Sequence, residues 1–309
     1  MFAVIIRAIL PIAILIGLGY LSRKKEILKQ GDEKVLGSYL YYFALPALLF
    51  INIAETNFTR ETLKFVFAGM LPVFAVIFVY LFSFAVLRFS KDKLYFLMVT
   101  FFGNFVFFGI PFVMFVFPGR EGEGLAILSS ASISVLGVFI SVLGLELSKI
   151  KEKGIFKILK TVTVQLLRNP LILSILAGLM VYLFPVKVPQ ALSSVLHMLG
   201  GTTSTVAIFM LGAFLYGRKY VQLGQAFMYS LTRMALMPAA AYAVTLYFGL
   251  SQIQSAVIVL MHAMPLAIAV SVLSDKYDFH EDTVASVILI TSVGAIIYLP
   301  VWIFILGIR

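Results

Sequence analysis

Ten apolar runs, each nearly free of charge, succeed one another along this chain, and they fix the solvent in which it folds. They cover about 2–22, 35–54, 64–87, 94–117, 124–147, 168–184, 191–217, 225–248, 253–274 and 283–307. A bilayer core about 30 Å thick is crossed by a helix of about 20 apolar residues, and each run is of that order. At 61% hydrophobic and 12% charged over 309 residues, the composition is not that of a water-soluble domain. The runs are continuous rather than alternating, which argues against a strand-built barrel. The expected fold class is therefore an all-α polytopic membrane protein with ten transmembrane helices. The first run has neither a basic leader nor a small-residue cleavage site, so it reads as a spanning helix and not as a removable signal.

The net charge is +10, and its placement records topology rather than a nucleic-acid partner. The loops after the odd-numbered helices (22–34, 88–93, 148–168, 216–224 and 274–282) hold 17 Lys and Arg, whereas the even loops and the termini hold 6. Lys and Arg collect on the cytoplasmic side, which puts the odd loops inside and both termini outside. The chain has no cysteine, which excludes disulfides, thiolate metal sites and cysteine nucleophiles. No metal or cofactor is expected. An intramembrane enzyme would need paired aspartates, a metal-binding histidine pair or a Ser–His arrangement, and none is evident.

The polar segment 148–160 divides the chain into five helices and five. Corresponding features recur about 155–160 residues apart. The fourth helix breaks at Pro111 and the ninth at Pro265; the fifth follows the acidic stretch GREGEG and the tenth follows DFHED. Because five is odd, a duplicated unit enters the membrane in the opposite sense. The expectation is two inverted repeats, 1–150 and 151–309, with the paired interrupted helices marking a binding site.

The break in the fourth helix lies in FFGNFVFFGIPFVMF, residues 101–115. Proline removes a backbone donor and clashes with the carbonyl four residues earlier; glycine leaves helical geometry at little steric cost. Gly103, Gly109 and Pro111, and Pro265 in MHAMPLAIA, thus free backbone groups at membrane depth, where only protein or a wet cavity can satisfy them. If the two breaks cross, half-helix ends carrying roughly half an elementary charge each point at one spot and invite an anion. Asn104 either donates to a carboxylate or satisfies loosened backbone. His262, three residues before Pro265, either contacts a ligand or bonds a neighbouring helix. Thr203, in the cluster GGTTST at 200–205, either lets helices pack closely or offers its hydroxyl to substrate. Arg233 either draws anions inward or, the expected role, snorkels to the interface. No Asp or Glu lies in the middle of a span, which weakens a cation antiporter and suits a substrate that brings the negative charge itself.

Several of these residues resemble the auxin efflux carrier family, which includes plant auxin transporters and bacterial carriers of malonate, malate and other organic acids. The likeness runs over nearly the whole chain: ALPALLF at 44–50, the spacing from Gly103 and Asn104 to Pro111, IFMLGAFL at 208–215, Arg233 with Pro238, and Tyr277, His280 and Asp282 behind the ninth helix. The resemblance implies a scaffold of helices 1, 2, 6 and 7 that forms a homodimer. It also implies a transport domain of helices 3–5 and 8–10 that moves like an elevator, with the fourth and ninth helices crossing at Pro111 and Pro265. It gives Asn104 the substrate carboxylate and leaves His280 and Asp282 structural. The implied function is a carrier of small organic anions in a bacterial or archaeal plasma membrane. The alternative is a membrane sensor that binds a lipid or metabolite in the same cavity. Leu49 stands where plant carriers have Ser, Gly103 where they have Pro, and Val270 where they have a second proline, so a small aliphatic carboxylate suits the chain at least as well as auxin.

Overall fold

A computed structural model describes residues 2–55, 59–149, 163–164, 167–184 and 187–308, with side chains from residue 6 onward. Most of the polar divider at 148–160 lies outside the described residues. Each apolar run carries a helical segment, and every named element among the described residues is helical. In chain order these are α1 (Phe2–Lys24), α2 (Asp32–Glu55), α3 (Arg60–Leu87), α4a (Lys91–Val99), α4b (Phe105–Val116), α5 (Arg120–Ser148), α6 (Pro170–Leu183), α7 (Gln190–Leu215), α8 (residues 223–248), α9a (Gln252–His262), α9b (Ala269–Lys276) and α10 (Glu281–Ile305).

Six of them, α1, α2, α3, α5, α7 and α10, are long and apolar enough to cross a bilayer. Their outward faces are oily: Phe67, Phe74, Phe78 and Phe82 form an exposed stripe on α3, and Ile297 and Phe304 extend another on α10. Apolar surface on that scale is not left in water. The chain is an integral, polytopic membrane protein.

Local sequence explains where the segments start and bend. Thr59 and Thr62 cap α3 reciprocally at 3.2 Å in each direction, and Ser251 with Gln254 does the same for α9a. The acidic stretches foreseen ahead of the fifth and tenth helices belong instead to their first turns, where Glu121, Glu123, Glu281 and Asp282 face the positive helix end. Among the described residues three wide π turns occur, at Leu40–Ala44, Phe105–Gly109 and Thr232–Leu236. Each ends two residues before a proline, namely Pro46, Pro111 and Pro238. Proline cannot donate to the carbonyl four residues back and crowds it, and widening the preceding turn relieves that clash. In α8 the carbonyl opposite Pro238 belongs to Met234, and the Trp302 indole donates to it at 2.9 Å.

The helices pack in matched sets. α1 lies on α7, and α2 lies on α6; α3 packs on α5, and α8 on α10; α3 and α8 pack on each other. The α1–α7 contact is close enough for backbone to touch backbone. A side chain at Gly212 would collide with the Ile16 carbonyl, and one at Gly19 with the Phe209 carbonyl. Gly212→Val should therefore destabilise the protein by about 1–3 kcal/mol, read as a lower unfolding midpoint in detergent. Gly17→Val, which meets open space, should leave the midpoint unchanged.

Candidate functional site

The helix that starts at Lys91 stops at Val99 and resumes at Phe105; the one that starts at Gln252 stops at His262 and resumes at Ala269. Between those stops the two chains cross and pair. The Asn104 N–H donates to the Pro265 carbonyl at 2.7 Å, and the Ala267 N–H donates to the Phe102 carbonyl at 2.9 Å. Together they make a short antiparallel bridge centred on Gly103 and Leu266. The broken segments cross and bond directly through their backbones, but the fourth helix breaks at 100–104 and crosses at Gly103, not at Pro111 as expected, because Pro111 is accommodated inside α4b by the widened turn before it.

Four other groups freed by the breaks also find partners. The Ser141 hydroxyl on α5 lies 3.2 Å from the Met98 carbonyl and 3.1 Å from that of Val99. The Leu266 N–H donates to Thr291 Oγ1 on α10 at 3.1 Å. The Met264 carbonyl accepts from Arg233 Nε at 2.8 Å. Helices α5, α8 and α10 thus supply the side chains that irregular backbone needs inside a membrane protein.

Beside the bridge lies a cavity of about 80 Å³. Residues 103–107, at the start of α4b, form one wall, together with Ala267 and Ala269 at the start of α9b. Both half-helix N-terminal ends therefore face the same space. The remaining walls come from α2 (Tyr41, Leu45, Leu49), the middle of α5, and the start of α6. They are almost wholly apolar. The polar exceptions matter: Asn104 Nδ2, Ser130 Oγ and Ser134 Oγ are buried without a partner among the protein's groups, and all three residues line the cavity.

Of the residues singled out from sequence, the structure brings Gly103 and Asn104 to the cavity wall and Pro265 into the bridge through its carbonyl. Pro111 is buried in the first turns of α4b, where it sets the π turn. Gly109 does not line the cavity; a side chain there would strike Met261 and Met264 of the α9 segment. His262 takes the second of its two alternatives: its Nε2 donates to the Gly69 carbonyl of α3 at 2.8 Å, and it does not reach the cavity. Thr203 is buried and its hydroxyl has no protein partner, but it lies outside the cavity lining. His280 meets Asp92 at 2.9 Å and sits edge-on to Phe96, a tie between α4a and the start of α10. Among the described residues, no three His, Asp or Glu side chains gather where they could hold a metal ion.

Arg233 overturns an expectation. It does not snorkel: it is 0% exposed. Its guanidinium lies 4.9 Å from the Phe105 ring centroid and fills the place a side chain at Gly103 would take. The cause is local. Arg233 stands in the π turn ahead of Pro238, facing the α9a end whose Met264 carbonyl accepts its Nε. Ser130 and Ser134 were not foreseen at all. Their signal was the run SSASIS at 129–134, two hydroxyls four apart on one helix face.

Comparison with known proteins identifies the family. The model of the membrane transport protein family, that of the auxin efflux carriers, matches residues 4–303. The uncharacterized transporter MJ1031 of Methanocaldococcus jannaschii is 27% identical over 95% of this chain and 96% of its own length. The uncharacterized transporter YfdV of Escherichia coli K12 is 21% identical over 96% of each chain. The lysosomal cholesterol signaling protein of Mus musculus is 26% identical over 65% of this chain and 24% of its own length.

The fit between Gly103 and Arg233 can be tested directly. Gly103→Ala should destabilise the protein by about 1–3 kcal/mol through crowding. Combined with Arg233→Met, it should cost less than the two single changes added together, because the shorter side chain vacates the contested space. Strict additivity in a thermal-unfolding cycle would contradict the contact.

Proposed function

We propose that this chain, which belongs to the membrane transport protein family, is a secondary carrier that moves small organic anions, carboxylates in particular, across the membrane by alternating access at the crossover. One observation carries the reading: two helix N-terminal ends and three residues with partnerless buried polar groups, Asn104, Ser130 and Ser134, surround one cavity beside the paired breaks. An amide N–H₂ and two hydroxyls are donors in search of an acceptor, and helix N-termini favour negative charge. A carboxylate satisfies both.

The wider arrangement supports ten spans in two inverted repeats. The matched packing of α1 on α7 with α2 on α6, and of α3 on α5 with α8 on α10, is the pattern a two-fold relation produces. In this reading α1, α2, α6 and α7 are the fixed scaffold, and the remaining helices carry the site past it. With the odd loops in the cytoplasm, Asn169 at the start of α6 lies at the inner end of its helix. The cavity, which reaches Asn169, then leans inward from the crossover.

The resemblance to a cholesterol signaling protein favours a second reading, a membrane sensor that binds a lipid or metabolite in this cavity without moving it. Flux separates the two. Purified protein in liposomes should take up at least one labelled short carboxylate. Asn104→Ala and Ser130→Ala should each weaken its binding roughly tenfold or more, the cost of a lost hydrogen bond to a charged group. Binding without flux would select the sensor, and neither binding nor flux across a panel of carboxylates would end the carrier reading.

A further inference from the structure

Resting on the carrier reading, we propose that Arg233 is the fixed counter-charge of the carried anion, so that the site selects one net negative charge and the empty carrier, not the loaded one, takes charge across the membrane. Arg233 is fully buried, and its guanidinium keeps its proton at physiological pH. The protein answers that charge only in part. Nε donates to the Met264 carbonyl and the Phe105 ring lies beneath Cζ, but Nη1 and Nη2 have no partner among the protein's groups. Nor does any acid among the described residues pair with it. The ion pairs there are Arg23–Glu33, Lys149–Asp278, His197–Glu55 and His280–Asp92, and the buried Glu146 accepts from the Tyr277 hydroxyl instead. A lone buried cation is strongly disfavoured unless an opposite charge comes to it.

The site brings that charge close. Gly103 and Phe105, which the guanidinium touches, are themselves cavity wall, so Arg233 stands one residue behind the space that would hold the carboxylate. It acts through the field and does not contact the substrate. In low dielectric that field is strong at short range. One guanidinium and one carboxylate sum to zero, whereas a dianion leaves the site net negative. Since α8 and both broken segments move together in the carrier reading, the loaded unit crosses neutral and the empty unit crosses with one positive charge. A full crossing of one charge shifts the inward–outward distribution of the empty carrier about 50-fold per 100 mV and leaves that of the loaded one unmoved.

The test is voltage steps on membranes carrying the full chain, first without carboxylate and then with propionate, lactate, malonate or malate, alongside liposome uptake of the same four labelled acids. The wild type should give a transient charge movement when empty and lose it when saturated with a transported monocarboxylate. It should take up monocarboxylates faster than dicarboxylates. Arg233→Lys should keep the empty-state transient and Arg233→Met should abolish it. If the Met variant fails to fold, the wild-type recordings decide. Uptake accompanied by charge movement only in the loaded state, or by an empty state that ignores voltage, overturns the counter-charge and leaves the carrier intact. Uptake of none of the four acids overturns the carrier reading and this inference with it.

Discussion

Two hydrogen bonds between unwound backbone segments hold the centre of this protein together. The Asn104 to Pro265 and Ala267 to Phe102 bonds let two helices stop in the middle of a membrane protein without stranding their polar groups. An open peptide in hydrocarbon would be prohibitive. Each broken segment therefore supplies what the other lacks, and neither break is tolerable alone. The side chains that complete the accounting, Ser141, Thr291 and Arg233, come from the helices packed around the pair, so α5, α8 and α10 are constrained by the same requirement.

That constraint also creates the chemistry. Stopping a helix exposes its N–H groups at one end and its carbonyls at the other. The N-terminal ends of α4b and α9b face the cavity, and the Met264 carbonyl just beyond α9a binds Arg233. Positive helix ends and residues that carry an amide and hydroxyls thus surround the same space, with a full positive charge behind its wall. Gly103 links the two sides: lacking a side chain, it is both cavity lining and the seat of the guanidinium. That much positive character, with no acid beside it among the described residues, is what the proposed anion carrier needs of its site.

Much of this was legible in the residues. Helices forced by the bilayer, Pro265 within the second break, and Gly103 and Asn104 within the first all follow from rules that need no tertiary contact, whereas Pro111 marks only the widened turn that follows the first break. What escaped was set by packing. Arg233 looked like an interfacial arginine because its depth along α8 suggests snorkelling, and nothing in sequence reveals that a π turn ahead of Pro238 aims it at the α9 break. Beyond their spacing, nothing in the sequence distinguishes Ser130 and Ser134 from other hydroxyls on an apolar helix, and only the approach of α4b to α5 places them at the cavity wall. His262 and Gly109 sat at the right distance from prolines but on faces turned toward α3 and the Met261–Met264 pair.

The bridge itself admits a direct measurement, because the natural chain contains no thiol. Residues 102 and 267 flank Gly103 and Leu266 on opposing strands and share a backbone hydrogen bond, and the Cα atoms of such an opposed pair lie about 5.5 Å apart, within the span a disulfide bridges. In the double variant Phe102→Cys/Ala267→Cys, mild oxidation should close a disulfide within the folded monomer, seen by mass spectrometry as the loss of two hydrogens. Two thiols that stay free under those conditions, in protein that remains folded, would mean that the broken helices do not meet.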